Sequence, residues 1–319
     1  MRDAYLSDLS FALGERCQTL EEAATRGLTR TSVAVLREAG FERHYICAED
    51  TSAYRLATQC LEPLADRLRD ADAIVYSTCL PHNANIGSAD AFAATGDVKF
   101  LMDFPASHLQ RHFAMDRAQV FGLTQQACTG LLGSLRLARM LMQDDPVINK
   151  VLCVTADRFP PGAHYEQAYN LISDGAAACI VSSTPQGFRI LAAHGITNGA
   201  LAQASNDEVL GSFFGYAHRV IQETLARVEL NLEDIDWIVP QNTHRKAWQI
   251  LGRLMPFDVD RIASPTIGDI GHVISADNII NLKHLFDADR IRPGEKVLLF
   301  MAGYGLNWQC IVLEKEHEA

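Results

Sequence analysis

The sequence predicts an α/β protein whose two halves share one order of elements and whose sheets are mainly buried. Helical and strand-like patterns alternate along nearly the whole chain. The strand candidates are short apolar runs rich in Val, Ile and Leu, as expected of strands covered on both faces. The strand–turn–helix order of the first half recurs in the second, which is compatible with an internal duplication although no sequence identity between the halves is visible. The halves are placed at residues 1–170 and 171–319.

The elements follow from local pattern. Residues 52–71 carry Ala53, Leu56, Ala57, Cys60, Leu61 and Leu64 at helical spacing and predict an amphipathic helix. The run ADAIVYST at 71–78 predicts a buried strand, and 118–123 a short one. TGLLGSLRLARML at 129–141 predicts a strongly apolar helix, followed by strands at 151–155 and 177–182. In the second half, 212–229 predicts a long helix and WIVP at 237–240 a short strand running into a loop. A helix at 279–286 and strands at 296–301 and 309–313 complete the order.

Composition narrows the function. The 319 residues are 48% hydrophobic and 21% charged, which supports an ordinary core and excludes global disorder. A net charge of −11 with no basic run argues against nucleic-acid backbones and anionic membrane surfaces as partners. The N-terminus lacks the basic-then-apolar order of a signal peptide, and no apolar stretch approaches a membrane span. Eight scattered cysteines without a CxxC pair read as reduced thiols, so a cytoplasmic protein is expected.

Four clusters could carry chemistry. In QQACTG (125–130) a short strand and a tight turn place Cys128 at a helix start, where free amides and the helix dipole favour a thiolate. Alone, Cys128 reads more readily as a small buried apolar residue, as most cysteines are. In VPQNTHRK (239–246), Gln241 and His244 follow a strand's carboxyl end, a frequent site position in α/β folds; Thr243 as a helix cap with a solvated His244 is the plainer alternative. In GDIGHVISADN (268–278), glycine turns set His272 beside a helix start with Asp277 in reach, although Asp277 could be only a cap. FMAGYGLNW (300–308) is a glycine hairpin whose amides could approach a ligand.

The order of these clusters resembles the thiolase superfamily, specifically the beta-ketoacyl-acyl-carrier-protein synthase III-like family. The stretches that carry the resemblance are QACTGLLGSLRLA, VLCVTADR, SDGAAACIV, IVPQNTHRKAW, GHVISADNIINL and RIRPGEKVLLFMAGYGLNW. It implies a five-layer αβαβα fold of two duplicated halves, normally a homodimer. It implies that Cys128 accepts an acyl group from a phosphopantetheine thioester, on acyl carrier protein or CoA, with no permanently bound cofactor or metal. The amides of Cys128 and Tyr304 would form the oxyanion hole, with the Tyr304 side chain narrowing the space. Arg245, Lys246 and Arg253 match a region that receives the acidic carrier protein, although a solvated helix face reads equally well. Residues 29–45 contain no Trp to clamp CoA, which favours a carrier-protein donor.

Two departures set the expected reaction. Where the family usually has Pro-His-Gln-Ala-Asn, this chain has Gln241 after Pro240, with His244 three residues on. Where the family has Gly-Asn, it has Gly271-His272. Decarboxylative condensation needs two donors for an enolate, which Gln241 and neutral His272 could supply. Transfer to an alcohol or amine needs a base, which His272 oriented by Asp277 could supply. Family members with hydroxyl or amine acceptors also depart from Asn in this turn. The first expectation is therefore an acyltransferase acting through acyl-Cys128 on a small-molecule acceptor. The alternatives are a carbon–carbon bond-forming synthase and a non-catalytic partner subunit. His244 could replace the missing His if the loop shifts.

Overall fold

Alternate residues of the buried strands face two different apolar layers, and this period-two division organises the molecule. The computed structural model describes residues 2–167, 170–204, 206–255 and 257–317. Among them one nine-stranded sheet comprises β1 (Tyr5–Leu13), β2 (Ala73–Ser77), β3 (Gln119–Leu123), β4 (Lys150–Asp157), β5 (Gly175–Ser182), β6 (Phe188–Thr197), β7 (Trp237–Pro240), β8 (Lys296–Gly303) and β9 (Asn307–Lys315). Their spatial order is β7-β8-β9-β6-β1-β5-β4-β2-β3.

This sheet is two half-sheets sharing one seam. In the first half the order is third, second, fourth, fifth, first strand; in the second it is second, fourth, fifth, first. The missing third strand survives as a parallel bridge between Ile238 and Ile262. Parallel pairing of β2 with β3 and β4 is matched by parallel pairing of β7 with β8. The halves meet where β1 pairs with β6 through Tyr5–Arg189 and Leu6–Phe188. The chain crosses between them after Ser182 and before Phe188, so β5, beyond residue 170, pairs within the first half-sheet.

Six helices complete the layers: α1 (Ala53–Leu61), α2 (Pro105–His112), α3 (Gly130–Asp144), α4 (Asn206–Ala226), α5 (Arg245–Leu254) and α6 (Asp277–Asp287). Leu131, Leu135 and Met142 of α3 and Ile279, Leu282 and Leu285 of α6 pack with Val75 and Leu299 between the half-sheets. The neighbours Ile74 and Tyr76 face α1 and α2 instead. Leu298 and Phe300 face α4 and α5. The result is the αβαβα layering. No helix among the described residues is long and apolar enough to cross a membrane.

Two expectations need correction. The helix expected over 52–71 ends at Leu61 and continues as a 3-10 turn over Glu62–Arg67. Pro63 has no N–H for the α ladder and its ring crowds the preceding turn. Strand β1 has no long apolar run to announce it. In β1 the register breaks between Ser7 and Ser10, with Asp8 at φ 55°, so its alternation is interrupted.

The central helices are the mechanical heart of the fold. Leu135→Ala opens a cavity between two sheets that cannot both collapse onto it. It is expected to cost about 2–5 kcal/mol of stability, read from the shift in a denaturant unfolding midpoint.

Candidate active site

Every candidate cluster lies at the carboxyl end of a strand or at the start of α3 or α6. After β3 the chain turns through Ala127–Thr129 into α3. Thr129 secures the turn by donating from its amide at 3.0 Å and its hydroxyl at 2.7 Å to the Gln126 carbonyl. Ala127 sits at φ 45°, a conformation few non-glycine residues adopt, and presents Cys128 half-buried in the cleft. The Ser275 hydroxyl donates to the Ala127 carbonyl at 3.1 Å, tying this turn to the one before α6.

That second turn fixes His272. Gly271 has φ 76°, and a β-carbon on it would lie 2.9 Å from the Leu171 carbonyl oxygen, so only glycine fits. The His272 backbone is clamped by its amide to Leu171 O at 2.8 Å and by its carbonyl to the Ser173 amide at 2.9 Å. Its ring is 3% exposed, and Nδ1 lies 2.5 Å from Oδ2 of Asp277, which is 0% exposed. The same carboxylate accepts the amides of Asn242 and Val273, each at 2.6 Å. With Nδ1 held by Asp277, Nε2 is the ring nitrogen left for another partner, and Cys128 is the neighbour whose ionisation is linked to that of the ring.

The electrostatics follow. Cys79 donates a hydrogen bond that lowers the Cys128 pKa; burial opposes it, and the His272 ring lowers it further, so the thiol ionises more readily than usual. For His272, burial disfavours the charged ring, but Asp277 and the Cys128 sulfur outweigh it and raise its pKa. Thiolate and imidazolium stabilise each other. Cys79 is pushed the opposite way by its bond to Cys128 and by burial.

The remaining candidates are placed as follows. Gln241 is buried, and its side-chain oxygen accepts the Ala302 amide at 2.6 Å, which leaves its NH2 as the donor end. His244 caps α5 by accepting the Lys246 amide at 3.2 Å, with Lys246 and Glu38 as its charged neighbours. The structure thus joins Cys128, His272 and Asp277 and uses His244 on the helix. Gly303 lies against the nucleophile turn: a β-carbon there would sit 2.9 Å from the Cys128 nitrogen and 3.0 Å from the Gln126 oxygen. Tyr304 follows it and is 74% exposed, so its side chain stands largely in solvent instead of narrowing the space as expected. On α5, Lys246 pairs with Glu38, Arg245 packs over Gly40, and Arg253 is exposed.

Two site residues lack a sequence signal of their own. Asn242 is fully buried and donates its side-chain amide to Gly271 O at 2.7 Å and Thr266 Oγ1 at 3.0 Å, joining the two second-half loops. Its place in a polar loop after a strand was the available cue. Cys79 follows β2 and meets Cys128 only through the fold.

This fold and site define a thiolase-type α/β architecture with a cysteine at a helix start. The family pattern described as 3-Oxoacyl-[acyl-carrier-protein (ACP)] synthase III matches residues 124–199, and that of its C-terminal part matches 225–315. The chain belongs to the 3-oxoacyl-[acyl-carrier-protein] synthase III family, whose members are transferases. It is 23% identical over 306 residues to the beta-ketoacyl-[acyl-carrier-protein] synthase III of Chlamydia muridarum, covering 86% of this chain and 88% of that one. It is 27% identical to the Chlamydia caviae protein of the same name over 59% of this chain and 64% of that one. Among solved structures it resembles ChlB3, described as an acyltransferase, with a TM-score of 0.80 at 18% identity over 98% of both chains. The 3-oxoacyl-[acyl-carrier-protein] synthase III of Aquifex aeolicus gives 0.79 at 17% identity, over 98% of this chain and 99% of that one.

The Cys128–His272 contact has a direct readout. Iodoacetamide reacts with the thiolate, so its rate with Cys128 should stay high as pH falls below the range of an ordinary thiol near 8.5. In His272→Ala the Cys128 pKa should rise by about one unit or more, shifting the rate profile to higher pH. An unshifted profile would remove His272 from the activation of Cys128.

Proposed function

We propose that this chain is an acyltransferase that carries an acyl group from a phosphopantetheine thioester through acyl-Cys128 to a hydroxyl or amine acceptor. The observation that carries the proposal is the 2.5 Å bond between Asp277 and His272, with the His272 ring also lowering the Cys128 pKa. A base held by a buried carboxylate suits proton removal from an acceptor.

The cycle closes without an added cofactor. The Cys128 thiolate attacks the thioester carbonyl, and the oxyanion is held by the amides of Cys128 and Tyr304. The donor sulfur leaves and takes a proton from the His272 imidazolium. Acylation removes the thiolate that had helped to keep His272 protonated, so the neutral ring is matched to the second step. It then takes the proton of the incoming hydroxyl or amine as that group attacks the acyl-Cys128 carbonyl. Collapse expels the Cys128 thiolate and restores the ion pair. Carrier protein is the favoured donor, with Arg245, Lys246 and Arg253 as its docking face and coenzyme A as the alternative. A second reading, decarboxylative condensation, is favoured by the name shared by the curated relatives and by the donor end of Gln241; release of CO2 from a malonyl thioester distinguishes it.

The family also implies a homodimer. Strand β3 is the edge of the sheet, and Val120 on it is exposed. Pairing of β3 with its copy would continue the sheet; light scattering at micromolar concentration should give twice the chain mass, and a monomer mass would refute it.

Mutation of the base separates the two chemical steps. Cys128→Ala should abolish the acyl adduct seen by intact mass spectrometry. His272→Ala should still acylate Cys128 but transfer onward about 10²-fold more slowly or worse, so acyl-enzyme accumulates. His272→Asn supplies a donor without a base and should also transfer slowly. If it transfers as fast as wild type, His272 is only a hydrogen-bond donor and the condensing reading is the better one.

A further inference from the structure

We propose that Cys79 is a resolving thiol for Cys128: when a hydroperoxide oxidises Cys128, the two close a reversible disulfide. The inference needs only the Cys128 thiolate and not the acyl-transfer step, so the two stand or fall separately.

Geometry puts Cys79 at the nucleophile and holds it there. The two thiols pack side by side on one apolar cluster of Ile46, Phe159, Ile172 and Ile274, and each shifts the other's ionisation. The turn after β2 cannot drift, because the buried carboxylate of Asp157 gathers it from four groups. Oδ1 accepts the Thr78 hydroxyl at 2.5 Å, and the amides of Cys79 and Leu80 and the Asn83 side chain at 3.0 to 3.2 Å. Both cysteines are partly exposed, so a small oxidant can reach them.

The chemistry balances. The Cys128 thiolate attacks the O–O bond of the hydroperoxide, giving a sulfenic acid and an alkoxide or hydroxide that takes the His272 proton. The Cys79 sulfur then attacks the sulfenic sulfur; its own proton and the sulfenic oxygen leave as water, and the S–S bond forms. Two electrons pass from the two thiols to one peroxide bond. Without Cys79 the sulfenic acid is open to further oxidation, which is irreversible at the sulfinic stage in most proteins.

The fold supplies an internal control. Cys153 and Cys179 face each other across β4 and β5, but both are fully buried. That pair has no accessible sulfur, and burial pushes the Cys179 thiol up, so proximity alone predicts a disulfide there and the present argument predicts none.

The test exposes the reduced full-length chain to hydrogen peroxide and follows intact mass and non-reducing peptide maps. Expected are a species lighter by two hydrogens, a cross-linked peptide joining Cys79 to Cys128, thiols retained at Cys153 and Cys179, and return to the starting mass with dithiothreitol. Cys79→Ser should instead give dimedone-reactive Cys128 that proceeds to sulfinic acid several-fold more than wild type, with no recovery by dithiothreitol. The proposal is overturned if wild-type Cys128 is sulfinylated while Cys79 can still be alkylated, or if Cys79→Ser resists over-oxidation as well as wild type.

Discussion

The carboxylate of Asp277 is fully buried and is shared among the His272 ring and the backbone amides of Asn242 and Val273. A charge so placed is tolerable only because every bond to it is short and charge-assisted. Removing one member of such a set typically costs about 3–5 kcal/mol, since the rest is left uncompensated in a low-dielectric interior. The consequences extend beyond the histidine. The loop after β7, the turn before α6 and the first residue of α6 all meet at this one group. The position of His272, and through it the charge state of Cys128, is therefore set by how these segments pack.

The duplication explains why two such turns are available. Helices α3 and α6 occupy equivalent places between the half-sheets, and both begin at the strands' carboxyl ends. One start presents Cys128 and the other His272 with its buried carboxylate. In the proposed reaction the two steps would be divided between two copies of one structural unit, each half contributing what the other lacks. Gly303 lets the β8–β9 hairpin close over the nucleophile turn and brings a third segment to the same place.

Much of this was legible from the chain alone. WIVP at 237–240 and KVLLFM at 296–301 fall in β7 and β8 because strands covered on both faces must be apolar throughout. Cys128 and His272 were ambiguous singly and stood out only through the order of the four clusters along the chain. Asn242 and Cys79 could not be read the same way. Their partners lie far off in sequence, at Gly271 and Cys128, and no local period records a contact made only by tertiary packing. Strand β1 was hidden for another reason: its bulge at Asp8 spoils the alternation on which a half-buried strand is recognised. His244 shows the converse, a chemically capable side chain occupied with capping the start of α5.

The two edges of the sheet are unlike. At one, β3 offers a five-residue strand with open backbone groups; at the other, β7 is followed only by the single bridge to Ile262. In the proposed dimer, β3 would pair with its copy antiparallel and isologously, so the same edge would be consumed in both copies. What then faces outward at each end is the edge with a vestigial strand, which has almost no ladder to extend. A sheet finished in this way stops growing after one addition, and the shrunken strand protects against open-ended fibres.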